Sequence, residues 1–267
     1  MLDAPARDAA ATLLWEAERT SSPIEPLCNS FRDIDVVDAY EIQLRNIERK
    51  LANGLTICGH KVGLSSAVMQ QMMGVNEPDY GHLLSDMAIE DGATVDLSAF
   101  CYPRIEVEVG FVLGDTLPGA GCTEADVLAS TAHLVASIEL IDSRIRNWQI
   151  AIADTIADNA SSAGFVLGER HSLDGIDPAD IEAVLYTGSE GAETEVTRGN
   201  SGAVLGNPVT AVAWLANKVA AFGVRLEAGH VILPGSCTKA IDVAAGDRFR
   251  AEFAGLGSVS LNFSRAQ

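Results

Sequence analysis

Positive charge is what this chain has least of. Only four lysines (Lys50, Lys61, Lys218, Lys239) occur in 267 residues, and 18 Lys and Arg face 37 Asp and Glu, for a formal net charge of −19. That argues against nucleic acid and against anionic membranes as partners, because both call for a basic surface. It does not by itself specify a cationic substrate, since an acidic surface usually confers solubility. No continuous apolar run is long enough to span a bilayer. The stretch Met1-Leu2-Asp3-Ala4-Pro5 lacks the basic region and apolar core of a secretory leader, so the expected location is the cytoplasm. The five cysteines (Cys28, Cys58, Cys101, Cys122, Cys237) form no C-x-x-C, and read as reduced, mostly structural thiols with no support for a zinc site. Linkers, low-complexity tracts and internal repeats are also missing. The chain reads as a single domain over residues 1–267, with residues 1–55 as an N-terminal helical subregion.

What is there is an ordinary globular composition, 48% hydrophobic and 21% charged, on a length ample for a core. The pattern predicts helices over 9–19, 36–52, 123–132 and 208–222. For the second, Asp35 can cap the start and Gly54 can end it, and Val37, Tyr40, Leu44, Ile47 and Leu51 form one apolar stripe. For the last, Asn207 caps, Pro208 takes the first helical position and Gly223 follows the end. Strands are predicted over 57–62, 105–113, 135–141, 164–167, 183–187, 230–233, 248–253 and 258–263. Helices and strands do not alternate regularly, which excludes a doubly wound or barrel α/β fold. The expected class is α+β, an N-terminal helical layer on a curved mixed sheet.

The most informative stretch is Arg104-Ile105-Glu106-Val107-Glu108-Val109-Gly110-Phe111-Val112. A strand sends alternate side chains to opposite faces, so Glu106 and Glu108 share one face and the apolar residues the other. Two neighbouring carboxylates suit a hard cation such as Mg²⁺. They equally suit a strand with one wet face. Glu139, in the apolar segment Ser137-Ile138-Glu139-Leu140-Ile141-Asp142, is a candidate third ligand, because a carboxylate in such a strand is costly unless paired or bound to metal. An ion pair of Asp142 with Arg144 near the strand end is the plainer alternative. Lys61 stands between glycines that permit close backbone approach, and otherwise reads as a solvated strand residue. His60 and His82 are candidate acid–base groups or structural histidines. Asp79, in Glu77-Pro78-Asp79-Tyr80-Gly81, is either a site residue or a turn initiator.

Several motifs taken together carry a family resemblance. They are Gly59-His60-Lys61-Val62-Gly63-Leu64-Ser65, Pro78-Asp79-Tyr80-Gly81, Pro103-Arg104-Ile105-Glu106-Val107-Glu108 and Ser137-Ile138-Glu139-Leu140-Ile141-Asp142. Further along come Asp154-Thr155-Ile156-Ala157-Asp158-Asn159-Ala160-Ser161-Ser162, Leu205-Gly206-Asn207-Pro208 and Ile232-Leu233-Pro234-Gly235-Ser236-Cys237-Thr238. Over nearly its whole length the chain resembles the 2-keto-4-pentenoate hydratases of the fumarylacetoacetase superfamily. Within them it looks most like the hydratases of actinobacterial aromatic- and steroid-ring degradation.

The resemblance implies a fumarylacetoacetase-like curved sheet (β-roll) and a single catalytic domain. It implies Mg²⁺ or Mn²⁺ on Glu106, Glu108 and Glu139, with Lys61 and Asp79 as acid–base groups. Leu64 and one of Ser161 and Ser162 would line the substrate pocket. The implied reaction adds water to 2-hydroxypenta-2,4-dienoate, or its six-carbon homologue 2-hydroxyhexa-2,4-dienoate, in a meta-cleavage pathway. The product is a 4-hydroxy-2-oxo acid. The resemblance also implies a homo-oligomer, a pentamer or decamer, with a downstream aldolase or decarboxylase as partner. Charge counting agrees: three carboxylates on a dication leave one excess negative charge, the substrate adds more, and Lys61 offsets it. A 4-oxalocrotonate-type decarboxylase would use the same triad but needs an extra cation for a second carboxylate, for which Arg144 and Lys239 are the candidates. An acylpyruvate hydrolase would need a general base such as His60.

Overall fold

The computed structural model describes residues 1–189 and 191–264, so the last three positions of the expected domain lie outside the described residues. The helices are α1 (Ala4–Thr20), α2 (Leu27–Ser30), α3 (Val36–Ala52), α4 (Ala67–Met73), α5 (Glu124–Ser130), α6 (Ile152–Ala157) and α7 (Pro208–Ala220). The first strands are β1 (Ile57–Gly63), β2 (Asp79–Leu84), β3 (Ala88–Ile89), β4 (Thr94–Val95), β5 (Arg104–Leu113) and β6 (Thr131–Ile141). They continue with β7 (Ser162–His171), β8 (Glu182–Thr187), β9 (Thr194–Asn200), β10 (Val231–Leu233), β11 (Ile241–Asp242), β12 (Arg248–Phe253) and β13 (Gly257–Phe263).

Among the described residues these strands form two sheets. The larger runs β2-β1-β10-β5-β6-β7-β3, with β11 also on the edge of β5, and it mixes parallel with antiparallel pairs. The smaller runs β4-β13-β12-β8-β9, and its β13 packs across β6 and β7. The α+β expectation holds, with a second sheet where one was expected. The main core takes in Ile105, Val107, Val109 and Phe111 of β5, the α7 residues Val209, Val212 and Leu215, and Leu14 and Tyr40 from the N-terminal helices.

Local sequence explains the elements. Asp35 caps α3 through a reciprocal capping box with Asp38, and Asn207 caps α7 ahead of Pro208. The expected apolar stripe of α3 is rotated. Val37 and Leu51 are exposed, and the buried face carries Ala39, Tyr40, Ile42, Gln43 and Ile47. Polar Gln43 decides the rotation. Its Nε2 donates to Tyr80 O at 3.0 Å and Ile156 O at 2.8 Å, and its Oε1 lies 3.0 Å from His82 Nδ1. The helix expected over 123–132 stops earlier, because the β-branched Thr131 opens β6. His230 precedes β10 rather than opening it. Between β1 and β2, helix α4 buries none of its residues, and Val68, Met69 and Met72 are exposed.

Gln43→Leu is expected to strand two buried carbonyls, at about 1–3 kcal/mol each. Urea unfolding checks this; a midpoint equal to wild type would show that Gln43 is not the tie between the helical layer and β2.

Candidate active site

Register builds the site. In the antiparallel β5–β6 pair Glu106 stands directly opposite Glu139, and Glu108 opposite Ser137. Glu106, Glu108 and Glu139 therefore share one face, each offering a carboxylate oxygen within 4.8 Å of the others. The wet-face reading fails: Glu108 and Glu139 are both 0% exposed, and Glu106 is half-buried. The rest of the sheet curves over this face. In the β1–β2 pair Lys61 stands opposite Gly81 and Asp79 opposite Gly63. Lys61 Nζ lies 3.5 Å from Glu139 Oε2, so the lysine and the acids share one dry pocket. Glycine at 63 is required, because a Cβ there would collide with the Asp79 carboxylate.

The acids are short of partners. Glu108 Oε2 accepts from Gly235 N–H at 2.7 Å, but Glu108 Oε1 and both oxygens of Glu139 are buried with no hydrogen-bond partner, as is Asp79 Oδ1. Unpartnered carboxylate oxygens cost several kcal/mol in a dry site, roughly, unless something positive meets them. Burial pushes Glu139 up to about 7, against the pull of Lys61 and with a further push from Glu106. Burial, then Glu139 and Glu106, hold Glu108 well above the usual carboxylate range. Burial raises Glu106 too, opposed by Lys61 and Arg104. Burial works against the charge on Lys61, but Glu139, Glu106, Asp79 and Glu108 together outweigh it and raise its pKa. Lys61 thus stays protonated. Asp79 is raised by burial, with Lys61 and the Thr155 hydroxyl pulling the other way. Three hard carboxylate donors, two of them with orphaned oxygens, fit a divalent cation.

A strained turn closes the pocket. Asn159, Ala160 and Ser161 are three successive non-glycine residues at φ +54, +48 and +59. Such residues are uncommon singly, and a run of them needs outside support. Asn159 accepts from His82 N–H at 2.8 Å and donates to His82 O at 3.0 Å, mimicking a strand partner. Gly81 permits this approach, since a Cβ there would meet Asn159 O. Lys61 Nζ donates to Ala160 O at 3.1 Å. Buried Arg144 anchors the base, donating to Asp158 Oδ1 and Asp158 O at 2.6 Å each and to Ser162 O at 3.3 Å. Arg144 and Asp142 also line a cavity of about 360 Å³ that no triad residue reaches.

The expected residues fall into place unevenly. Lys61, Asp79 and the three glutamates come together. Both serines are buried, and neither hydroxyl has a hydrogen-bond partner. Leu64 is half-buried at φ +52, just past Lys61 and Gly63. Arg144 is spent on Asp158 rather than Asp142, whose carboxylate takes the N–H groups of Cys101 and Tyr102. Lys239 is exposed. His60 faces away from Lys61, fully buried and paired with His82 across β1 and β2, with ring centroids 4.9 Å apart. It therefore cannot serve as base on the acid-bearing face. Sequence reasoning missed Thr155, whose Oγ1 donates to Asp79 Oδ2 at 3.4 Å, and the Gly235 N–H.

The family description "Fumarylacetoacetate (FAA) hydrolase C-terminal" matches residues 60–263. The chain belongs to the fumarylacetoacetate hydrolase family. It is 41% identical over 255 residues to a 2-hydroxyhexa-2,4-dienoate hydratase of Comamonas testosteroni, covering 94% of this chain and 95% of the relative. It is 40% identical over 262 residues to a 2-keto-4-pentenoate hydratase of Paraburkholderia xenovorans, covering 98% and 96%. A 4-oxalocrotonate decarboxylase from Pseudomonas putida G7, solved with magnesium and adipate, superposes at TM-score 0.94. It is 36% identical, covering 98% of this family member and 99% of that chain. No helix among the described residues is long and apolar enough to cross a membrane.

The raised carboxyl groups set a pH dependence. In metal-free protein Glu139 keeps its proton up to about pH 7, whereas the unfolded chain releases it near 4.5. Its stabilisation is therefore complete below that lower value and is lost as pH rises through the higher one. A divalent ion needs the acids deprotonated, so its effect has the opposite sign. Mg²⁺ is expected to raise Tm more at about pH 8 than at about pH 5.5, and Glu108→Gln to remove that increment without destabilising the metal-free protein. A wild-type Mg²⁺ shift in Glu108→Gln would take Glu108 out of the ligand set.

Proposed function

We propose that the chain is a divalent-metal-dependent hydro-lyase, adding water to 2-hydroxypenta-2,4-dienoate or its six-carbon homologue to give a 4-hydroxy-2-oxo acid. One observation carries the reading: three glutamates, two of them buried with unpartnered oxygens, gather beside a buried lysine in a chain 40–41% identical over nearly its whole length to named hydratases. Glu106, Glu108 and Glu139 would hold the ion, which supplies Lewis-acid polarisation of the substrate carboxylate and 2-oxygen when bound.

The other roles follow from charge state. Lys61, whose pKa the neighbouring acids raise against burial, is placed to hold the anionic oxygens of the substrate as a cation. Asp79 has a free Oδ1 and a raised pKa, so it can both take and return a proton. As its carboxylate it takes the 2-hydroxyl proton of the dienol and delivers a proton to the terminal carbon, leaving a 2-oxo-3-enoate; it then takes a proton from the water adding at C4 and returns it to C3. The Thr155 hydroxyl steadies Oδ2 and leaves Oδ1 to the substrate side.

With this reading go Mg²⁺ or Mn²⁺ as the ion, a homo-oligomeric cytoplasmic enzyme, and a place in meta-cleavage degradation of aromatic or steroid rings beside an aldolase or decarboxylase. The decarboxylase reading is favoured by the likeness to the Pseudomonas enzyme. It loses the two cations expected for a second carboxylate, since Arg144 is internal and Lys239 is exposed.

An ultraviolet assay on 2-hydroxypenta-2,4-dienoate, with Mg²⁺ and after chelation, tests the reaction. Loss of the dienol signal with a 4-hydroxy-2-oxo acid as product is expected; CO₂ release from a dicarboxylic substrate in its place would favour the decarboxylase. Asp79→Asn is expected to lower kcat by about 10²–10⁴-fold, the usual span for losing a positioned acid–base group. A kcat within a factor of about three of wild type would remove Asp79 from proton transfer.

A further inference from the structure

The open end of the acid-bearing face carries an ion pair that the reaction does not use. Along β5 this face reads Arg104, Glu106, Glu108: Arg104 and Glu106 are half-buried and Glu108 is sealed. Same-face residues on a strand are roughly 7 Å apart, so Arg104 is the next side chain outward from the triad. β11 sets Asp242 directly opposite Arg104, hence on the same face, and its carboxylate accepts from Arg104 Nε at 2.6 Å. No other hydrogen bond ties the Arg104 guanidinium to the described residues.

An aromatic ring also backs the guanidinium. It lies over the Trp148 ring, 4.5 Å from the centroid, and Trp148 Nε1 donates to Tyr102 O at 3.0 Å. Trp148 sits at φ +56, directly after Asn147 at φ +53. A left-handed backbone at a bulky aromatic residue is a true outlier, and such strain gathers at ligand clamps. A flat, planar guanidinium is the group best shaped to take a carboxylate. Here a carboxylate of the chain already stands on it.

We propose that the Arg104–Asp242 pair is a specificity gate: Asp242 takes the place that a second substrate carboxylate would occupy on Arg104, so the site admits monocarboxylic 2-oxo acids and turns dicarboxylic ones away. The gate rests on the 2-oxo-acid reading of the triad. An uncharged tail leaving the triad passes a neutralised pair. A second carboxylate meets Asp242, and like charges brought together at a binding surface reject the wrong partner.

Calorimetric binding of 2-oxohexanoate and 2-oxoadipate, with Mg²⁺ present, tests the gate without requiring turnover. Wild type is expected to prefer 2-oxohexanoate. Asp242→Asn, at a side chain 82% exposed, should fold normally and move the ratio of the two Kd values at least about tenfold toward the diacid. Adding Arg104→Gln to Asp242→Asn should cancel that gain, which a merely structural pair would not do. Equal wild-type affinity for the two acids, or a ratio untouched by Asp242→Asn, overturns the gate. Binding of neither acid to wild type sinks the 2-oxo-acid reading and the gate with it, whereas an unmoved ratio with both acids bound sinks the gate alone.

Discussion

Four carboxyl groups and one ammonium share a dry face of a curved sheet, and this imbalance is what the surrounding structure answers to. Glu106, Glu108, Glu139 and Asp79 converge on Lys61, with Arg104 pulling on Glu106 from the open end. In the protein alone the excess is met by protonation, as the upward shifts of the acids record. A divalent ion meets it better, because it satisfies several lone pairs at once without needing a proton on any of them. The pocket is therefore assembled against its own electrostatics, and the scaffold has to hold it.

That holding is done by parts far apart in sequence. Gly63 and Gly81 remove side chains where Asp79 and Asn159 must come close. The left-handed turn at 159–161 brings Ala160 O to Lys61, and the buried Arg144–Asp158 pair fixes its base. Gln43 ties the N-terminal helical layer to β2 and α6 through main-chain carbonyls. Removing one partner of such a buried pair is far more damaging than its net contribution suggests, since the other is left uncompensated.

Much of this was legible in the sequence, and the gaps have physical causes. Alternation in β5 placed Glu106 and Glu108 on one face, but not whether that face was wet, because closure by β1, β2 and the 159–161 turn is a long-range event. Glu139 was readable as a carboxylate out of place in an apolar strand. β2 was missed because Pro78 and Gly81 look like breakers and because all six of its residues are buried, which leaves no alternation to see. The buried face of α3 was misjudged for the converse reason: a polar residue, Gln43, occupies its centre. Arg144 was wrongly weighed as a substrate cation. Nothing local reveals that Asp158, fourteen residues on, claims its guanidinium.

Helix α4 has a meaning of its own. It joins the strand that carries Lys61 to the strand that begins with Asp79, and it contributes no buried residue. The two groups assigned above to substrate binding and proton transfer in the proposed reaction are thus linked by a helix that buries none of its residues. Stretches of this kind accept insertions, deletions and drift with little effect on folding. A lineage can rewrite α4 and so alter what lies beside Lys61 and Asp79, while the sheet that aligns them stays as it is. New substrate ranges in this architecture have an inexpensive place to begin.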